Sequence, residues 1–193
     1  MEKNRNLSAW TEAGYELFAH EGLDGLQVER LARILQLNKS GFYHYFGDLE
    51  GFCAQLLNLH KKKVNVFVEG LTEITTLDPG YLFHLINHAA TVMFQVQLVR
   101  NPNNNFLYAA SEMADEKVNA AIRALWCEYF NLPVDTELGI RYYMIVRDVF
   151  YTRVSFQNLN YTFLHNLITD VKAILDESAI VNHSDLTDLE IPS

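Results

Sequence analysis

The chain has 193 residues, of which 49% are hydrophobic and 20% are charged, so it is long enough for one large domain or two small ones. No apolar run reaches the roughly 18 residues of a membrane-spanning helix, and the polar N-terminus lacks the apolar stretch of a signal peptide. These features exclude the usual membrane and secreted classes and predict a cytoplasmic protein. The two cysteines, Cys53 and Cys127, are expected to be free thiols rather than a disulfide in that compartment.

The net charge of −9 is distributed unevenly along the chain. Residues 1–63 hold eight Lys/Arg and eight Asp/Glu, whereas residues 64–193 hold seven Lys/Arg and sixteen Asp/Glu. The whole acidic excess therefore lies in the second part, and the first part is neutral with local basic positions. A neutral domain with a basic face can bind DNA, although its phosphate contribution is modest and sensitive to salt.

The N-terminal elements begin with an amphipathic helix that closes at Gly22. Apolar residues at helical spacing then predict a second short helix from Val28 to Leu35. Asn38 is suited to cap a third helix over about residues 39–46. A short helix pair whose second member is polar has the geometry that fits a DNA major groove.

Residues 7–52 resemble the N-terminal domain of the TetR family of bacterial transcriptional regulators. The resemblance is carried by four features in the family's order: the helix end FAHEGLDGL, the pair Leu31-Ala32, the Tyr-x-x-Phe ending at Phe46, and the polar pair Gly47-Asp48. The family usually has a glycine with positive φ after the second helix, where this chain has Gln36, and often a lysine near the start of the fourth helix, where this chain has Leu49. The second departure removes one expected phosphate contact.

Further helices are predicted downstream. Asp48 is expected to cap a fourth helix that runs toward Thr75, and Asp78-Pro79 has the pattern of a helix cap followed by a first-position proline. Asn and Pro between 101 and 105 predict a loop. The remaining predicted helices are 80–100, 106–130 with a break near Ala114-Asp115, 136–157 and 160–176.

The resemblance implies an all-α fold of about nine helices in two parts. An N-terminal helix-turn-helix DNA-binding domain would cover residues 1–47, with the recognition helix at about 39–46. A helical effector-binding and dimerisation domain would cover 48–178, and a polar tail would cover 179–193.

The resemblance also implies a DNA-binding site on the third helix. Tyr43 is expected to contact a phosphate and His44 to lie nearby, while Phe42 and Phe46 are expected to be core. Lysine on the first turn of a recognition helix can read guanine or neutralise a phosphate. The predicted DNA-binding residues are Gln27, Lys39, Ser40, Gly41, Tyr43 and His44. The run Lys61-Lys62-Lys63 fits either a solvated helix face or a backbone contact.

The last two helices have broad apolar faces. A single short recognition helix reads few bases, so specific binding usually uses two copies on a palindromic operator, and the family commonly pairs these helices as a four-helix bundle. The faces could instead pack only within the chain. The predicted dimer-interface residues are Ile140, Met144, Tyr151, Leu164, Leu167, Ile168, Val171, Ile174 and Leu175.

Family members usually release DNA when a small molecule binds the larger domain. The many aromatic residues of that domain suit an apolar or aromatic ligand, although aromatic residues at helical spacing are commonly core. The candidate pocket residues are Phe94, Tyr108, Trp126 and Tyr143. The acidic charge favours a cation weakly.

The sequence has no enzyme motif that competes with this interpretation. Glu-x-x-His pairs, His-Glu-x-x-His, a Gly-x-Ser-x-Gly elbow and a phosphate-binding glycine loop are all missing. His84 and His88 share a helix face but have no third ligand in sequence, so we expect no metal site, no catalytic residues and no cofactor. The predicted function is a dimeric regulator, by family base rate a repressor. The alternative is a helical interaction or ligand-binding protein that has lost specific DNA binding.

Overall fold

Nine α-helices and no strand make up the part of the chain that the computed structural model describes. This part comprises the backbone of residues 2–134 and 137–187, with the side chains of residues 5–134, 137 and 139–176. The helices are α1 (Glu2–Glu21), α2 (Val28–Leu35), α3 (Lys39–Phe46), α4 (Leu49–Gly70), α5 (Leu82–Asn87), α6 (Ala89–Val99), α7 (Asn105–Tyr129), α8 (Glu137–Arg153) and α9 (Tyr161–Thr187). The all-α fold expected from the sequence is confirmed.

An aromatic cluster fixes α3 against α1 and α4. Trp10 of α1 meets Phe42 edge-on with ring centroids 5.4 Å apart, and Phe42 meets Phe52 of α4 at 5.0 Å. Phe46 lies 4.7 Å from Phe52. Both α3 phenylalanines are buried, as expected, and edge-to-face aromatic pairs add stabilisation beyond their area burial. The opposite face of α3 is consequently held outward in a fixed orientation.

Local capping chemistry sets the ends of these short helices as the sequence predicts. Gln36 adopts the left-handed conformation with φ 54° between α2 and α3, where the family usually places glycine. The Asn38 side chain accepts a hydrogen bond from the Ser40 backbone N–H at 3.1 Å. Asp48 accepts from the Gly51 N–H at 2.8 Å and begins α4.

Helix α1 also packs on α6, deep in the second half of the chain. Phe94 of α6 stacks on Tyr15 with centroids 4.3 Å apart, lies 4.3 Å from Phe18, and stacks on His60 of α4 at 4.5 Å. Phe94 is therefore a contact between the N-terminal helices and the rest of the bundle.

Three predictions for helices in the first half of the larger region are wrong. Helix α4 ends at Gly70, short of Thr75. The predicted helix 80–100 is two helices, because the segments on either side of His88 meet at 84°. This turn buries α6 between α1, α4 and α7. Thr76 provides the side-chain cap predicted for Asp78, whose carboxylate instead accepts the Tyr161 hydroxyl at 2.9 Å.

The second half departs from prediction in the same way. Helix α7 is continuous through Ala114 and Asp115, where a break was predicted, because Asp115 has tertiary hydrogen-bond partners in the interior. Helix α8 ends at Arg153 and α9 continues to Thr187, so most of the predicted tail 179–193 is helical in its backbone. Residues 188–193 of that tail lie outside the described residues.

No single helix among the described residues is long and apolar enough to cross a membrane. The bent pair Leu77–Asn87 and Ala89–Val99 meets that test of length and composition only when its two members are taken together.

The close approach of α1 and α4 predicts a stability effect at Gly14. A Cβ added there would lie 2.2 Å from the Phe52 ring, so Gly14→Ala must displace a ring of the aromatic cluster. We expect a loss of about 1–3 kcal/mol in the free energy of unfolding, measured by urea denaturation, despite the better helix propensity of alanine.

Gly41→Ala is the matched control for this prediction. A Cβ at Gly41 has only Tyr45 Cε2 nearby, at 4.0 Å, so this variant should keep or slightly raise stability. Equal destabilisation by the two changes would contradict the packing argument.

Candidate functional site

The exposed face of α3 presents the side chains that the sequence assigned to DNA. Lys39, Ser40 and His44 are exposed, and Tyr43 is 52% exposed. Gly41 is half-buried, with an open Cβ direction. Because Phe42 and Phe46 anchor the helix from behind, these polar groups are brought together on one rigid surface.

Two ion pairs connect the helices around this surface. Lys39 Nζ lies 3.0 Å from Glu29 Oε1 of α2, and Arg30 of α2 forms a bidentate pair with Glu21 at the end of α1. The Arg30 guanidinium lowers the pKa of the Glu21 carboxyl. Gln27 is exposed just before α2, with its side-chain amide 3.4 Å from the Asp24 carbonyl oxygen.

The basic run on α4 has a partly structural role. Lys63 pairs with Glu12 of α1 at 3.3 Å and lies 5.0 Å from the centre of the Tyr15 ring. Lys61 and Lys62 are exposed. Among these three lysines, Lys63 serves the α1–α4 contact, while the other two fit a solvated helix face.

A cavity of about 110 Å³ lies inside the larger region, between α4, α5, α6, α7, α8 and α9. Its wall is mostly aliphatic and aromatic, with a polar side formed by Gln95, Asp115, Arg147 and Tyr151. Most drug-sized ligand pockets are larger, on the order of 300–1,000 Å³, so the cavity in this conformation suits a small molecule.

Two of the four predicted pocket residues line this cavity. Trp126 and Tyr143 are in its wall and meet edge-on with ring centroids 5.4 Å apart. Phe94 is outside the wall, because its ring is used in the contact between α1 and α6. Tyr108 is 44% exposed on the outer side of α7 and is also outside the wall.

The polar side of the cavity is organised around Asp115. Oδ1 accepts hydrogen bonds from the Tyr151 hydroxyl at 2.6 Å and the Gln95 amide at 2.8 Å. Oδ2 lies 3.1 Å from Arg147 Nη1, whose guanidinium also pairs with Asp148. Burial raises the pKa of the Asp115 carboxyl, and the contacts with Tyr151, Arg147 and Gln95 oppose that rise.

A chain of hydrogen bonds continues from Gln95 to α1. The Gln95 nitrogen donates to Asp115 and to the Ser111 carbonyl, so both of its hydrogens are used and its oxygen faces His60. His60 Nε2, 3.1 Å from that oxygen, must therefore donate. Nδ1 is left as the acceptor of the Tyr15 hydroxyl at 2.8 Å. We call this chain of hydrogen bonds the relay; it runs through Tyr15, His60, Gln95 and Asp115. Each of its hydrogen bonds has a defined donor and acceptor.

Sequence reasoning missed this relay, although His60 carries a signal. His60 follows Leu56 by four residues and precedes Val64 by four, and both neighbours are buried apolar residues of α4. A histidine within an apolar stripe is a candidate for burial with a specific partner. Gln95 and Asp115 give no comparable signal, because their partners lie on other helices.

The predicted interface residues differ in how far they are buried within the chain. Leu164, Leu167 and Ile168 are buried within the chain and line the cavity, so they pack inside the protomer. Tyr151 is used by the Asp115 cluster. Met144 is 43% exposed. The others are Ile140, Val171 and Leu175, which are half-buried, and Ile174, which is 63% exposed.

His84 and His88 lie side by side with ring centroids 4.5 Å apart. His84 Nε2 is 2.8 Å from the Phe67 carbonyl oxygen, so this nitrogen donates a hydrogen bond within the chain. No group of three potential metal ligands occurs among the described residues.

The buried His60 predicts a pH-dependent stability. Burial lowers the pKa of His60 from 6.5 to about 4, while the hydrogen bond to Gln95 opposes the shift. Between these pKa values the unfolded state binds more protons, so the stabilisation is complete above pH 6.5 and is lost as the pH falls toward 4. We expect a loss of about 2 kcal/mol from pH 8 to pH 5, measured by urea denaturation.

His60→Gln is the control for the pH effect. This variant should be less stable than the wild type at pH 8, but its stability should fall less between pH 8 and pH 5. The same fall in both proteins would show that other groups cause it.

Comparison with known proteins finds a family match over the N-terminal helices. Residues 11–55 match the family described as "Bacterial regulatory proteins, tetR family". The match begins in α1 and extends through α2 and α3 into the first turns of α4. No curated protein sequence matches the chain significantly.

Proposed function

We propose that this chain is a dimeric repressor. The premise is that it belongs through its N-terminal domain to the tetR family of bacterial regulatory proteins and is a DNA-binding transcriptional regulator. In this proposal it binds a palindromic operator through α3, and a small molecule in the cavity releases it. Residues 1–47 are the DNA-binding domain and residues 48–178 the effector and dimerisation domain.

One observation carries the DNA-binding part of the proposal. The polar face of α3 is exposed while Phe42 and Phe46 hold the helix against α1 and α4. A recognition helix needs both properties, because side chains read base edges only when the helix is held at a fixed orientation. Lys39 leads this face and Tyr43 lies one turn later, so in this proposal both meet a groove and its phosphates.

The Lys39–Glu29 ion pair does not argue against a DNA contact by Lys39. Both side chains are exposed by half or more, and exposed pairs contribute only about 0–1 kcal/mol. A phosphate or guanine acceptor can therefore replace Glu29 as the partner of Lys39 at small cost.

The dimer follows from how little DNA one such helix reads. Helix α3 has eight residues, so specific binding calls for a second copy and a symmetric operator. Helices α8 and α9 keep exposed apolar side chains after packing within the chain, notably Met144 and Ile145, which are 43% and 58% exposed. We assign the interface to these outer faces and not to the buried Leu164, Leu167 and Ile168.

The position of the cavity supports control by a small molecule. Gln95 and Asp115 are in the cavity wall and also belong to the relay that reaches Tyr15 on α1. A ligand that shifts α6 or α7 would disturb this relay and the orientation of α1. The spacing of two α3 helices in a dimer would then change.

The first test is selection of duplex DNA from random and genomic pools by ligand-free protein, refolded from denaturant to remove any bound small molecule. We expect a palindromic motif. The double variant Lys39→Gln/Tyr43→Phe should lose about 10–100-fold in affinity for each half-site through two hydrogen-bonding groups, and Lys39→Gln should reduce the salt slope of the dimer by about two, one for each half-site, if Lys39 contacts a phosphate.

Tyr108→Phe, on the outer side of α7, is the matched control and should bind like the wild type. Absence of an enriched motif with refolded protein, as judged by circular dichroism, would favour the alternative of a helical ligand-binding or interaction protein without specific DNA binding.

The oligomeric state has its own test. Analytical ultracentrifugation at micromolar concentration should show a dimer, and Met144→Glu should shift it toward monomer because the charge would be desolvated in the interface. Val66→Glu changes a residue of α4 that is 57% exposed and should leave the dimer intact. A monomeric wild-type protein, or equal effects of the two variants, would contradict the assigned interface.

A further inference from the structure

The cavity wall has hydrogen-bond donors without a partner in the part of the protein that the structure describes. Trp126 is 95% buried, and its indole Nε1 has no hydrogen-bond partner among the described residues. Tyr81 and Tyr143 also line the cavity, and no partner for either hydroxyl occurs in the described part of the chain. Burial raises the pKa of both tyrosines, so their hydroxyls keep their protons at neutral pH.

The charged groups of the same wall and the Gln95 oxygen are already used. Asp115 accepts from Gln95 and Tyr151 and pairs with Arg147. Arg147 also pairs with Asp148 and lies over the Tyr151 ring, and the Gln95 oxygen accepts from His60. The buried charges of Asp115 and Arg147 cancel within 3.1 Å of each other, so the cavity wall has no uncompensated charge.

We propose that the cavity binds a small, neutral and mostly apolar molecule that presents an acceptor oxygen, such as a carbonyl or ether, to Tyr81, Tyr143 and Trp126. The proposal rests on the effector role in the proposed function and gives the chemical class of that effector. It replaces the cation that the overall acidic charge suggested.

The physical reason is the cost of burying unpaired groups. A cationic ligand would need a free carboxylate to offset its desolvation, and Asp115 is occupied by three partners. An anionic ligand would need a free cation, and Arg147 is neutralised. A neutral molecule avoids both desolvation penalties and gives the unpartnered donors an acceptor.

The cavity volume limits the ligand's size. A cavity of about 150 Å³ holds one benzene molecule, and the present cavity is about 110 Å³. A ligand with one ring therefore needs a small outward movement of the wall, and a larger ligand needs more. Such a movement, adjacent to Gln95 and Asp115, is the event that would act on the relay.

Four single-ring probes with matched skeletons test the chemical class: acetophenone with a carbonyl, ethylbenzene without an acceptor, 1-phenylethylammonium with a positive charge, and benzoate with a negative charge. Isothermal titration calorimetry with the wild-type protein gives the affinities. Fluorescence gives a second readout, because the chain has only two tryptophans, Trp10 and Trp126. A Trp10→Phe variant leaves Trp126 in the cavity wall as the sole tryptophan.

We expect acetophenone to bind about 3–10-fold more tightly than ethylbenzene, as one net hydrogen bond would give, and to change Trp126 emission. Both charged probes should bind at least about tenfold more weakly than acetophenone. Tyr81→Phe and Tyr143→Phe should each reduce the preference for acetophenone over ethylbenzene, while Tyr108→Phe, outside the cavity, should leave it unchanged. Thermal unfolding of each variant confirms that it is folded.

Three results would overturn the proposal. If either charged probe bound more tightly than acetophenone, the ligand would not belong to the neutral class. Equal binding of acetophenone and ethylbenzene, unaffected by the tyrosine variants, would show that the donors do not contact a ligand. No saturable binding of any probe would identify the cavity as packing space. DNA selection with the same preparation separates these failures from failure of the proposed function, since ligand-free protein would still enrich an operator if only the chemical class were wrong.

Discussion

The burial of Asp115 is the constraint on which the arrangement of the larger helical region depends. A buried carboxylate without partners costs several kcal/mol, so donors must converge on it. They come from different helices: Gln95 from α6, and Tyr151 and Arg147 from α8. Sliding any of these helices past α7 would leave a buried charge or donor unpaired. The same requirement makes the polar side of the cavity its least adaptable side.

The relay extends this constraint to the DNA-binding helices. Tyr15 ends the relay on α1, and Trp10, about one turn earlier on the same helix, packs against Phe42 of α3. Spatial continuity alone does not establish coupling between two sites. The fixed direction of each hydrogen bond adds a physical argument: when Gln95 turns away, the buried N–H of His60 loses the acceptor that Gln95 provides. Partly broken arrangements are costly, which favours an all-or-none change.

Local sequence rules predicted the N-terminal helices well, because their determinants are local. Gln36 in the left-handed conformation, Asn38 as a cap and Asp48 as a cap all act within three residues of their own position. The same rules wrongly predicted a helix cap at Asp78 and a helix break near Asp115. Both carboxylates have partners 20 to 87 residues away, and such partners cannot be identified from one sequence.

Burial likewise could not be assigned from aromatic composition. Phe94 and Trp126 have similar helical contexts, yet one ring joins α1 to α6 and the other lines the cavity. The difference depends on the 84° turn between α5 and α6, which orients α6 toward α1. The sequence around His88 has neither a proline nor a glycine that would predict that turn.

The charge distribution explains how an acidic protein can bind DNA at all. The net charge of −9 lies in residues 64–193, and cations near α3 are paired with carboxylates of the neighbouring helices, as Lys39 is with Glu29 and Arg30 with Glu21. At Lys39, DNA binding would exchange the internal pair for a phosphate contact, and the phosphate contribution of such a neutral domain is modest. Affinity must come chiefly from hydrogen bonds at fixed positions, which depend on sequence and on the orientation of α3. A regulator built in this way gains little from non-specific DNA, so its binding depends on the orientation in which α3 is held.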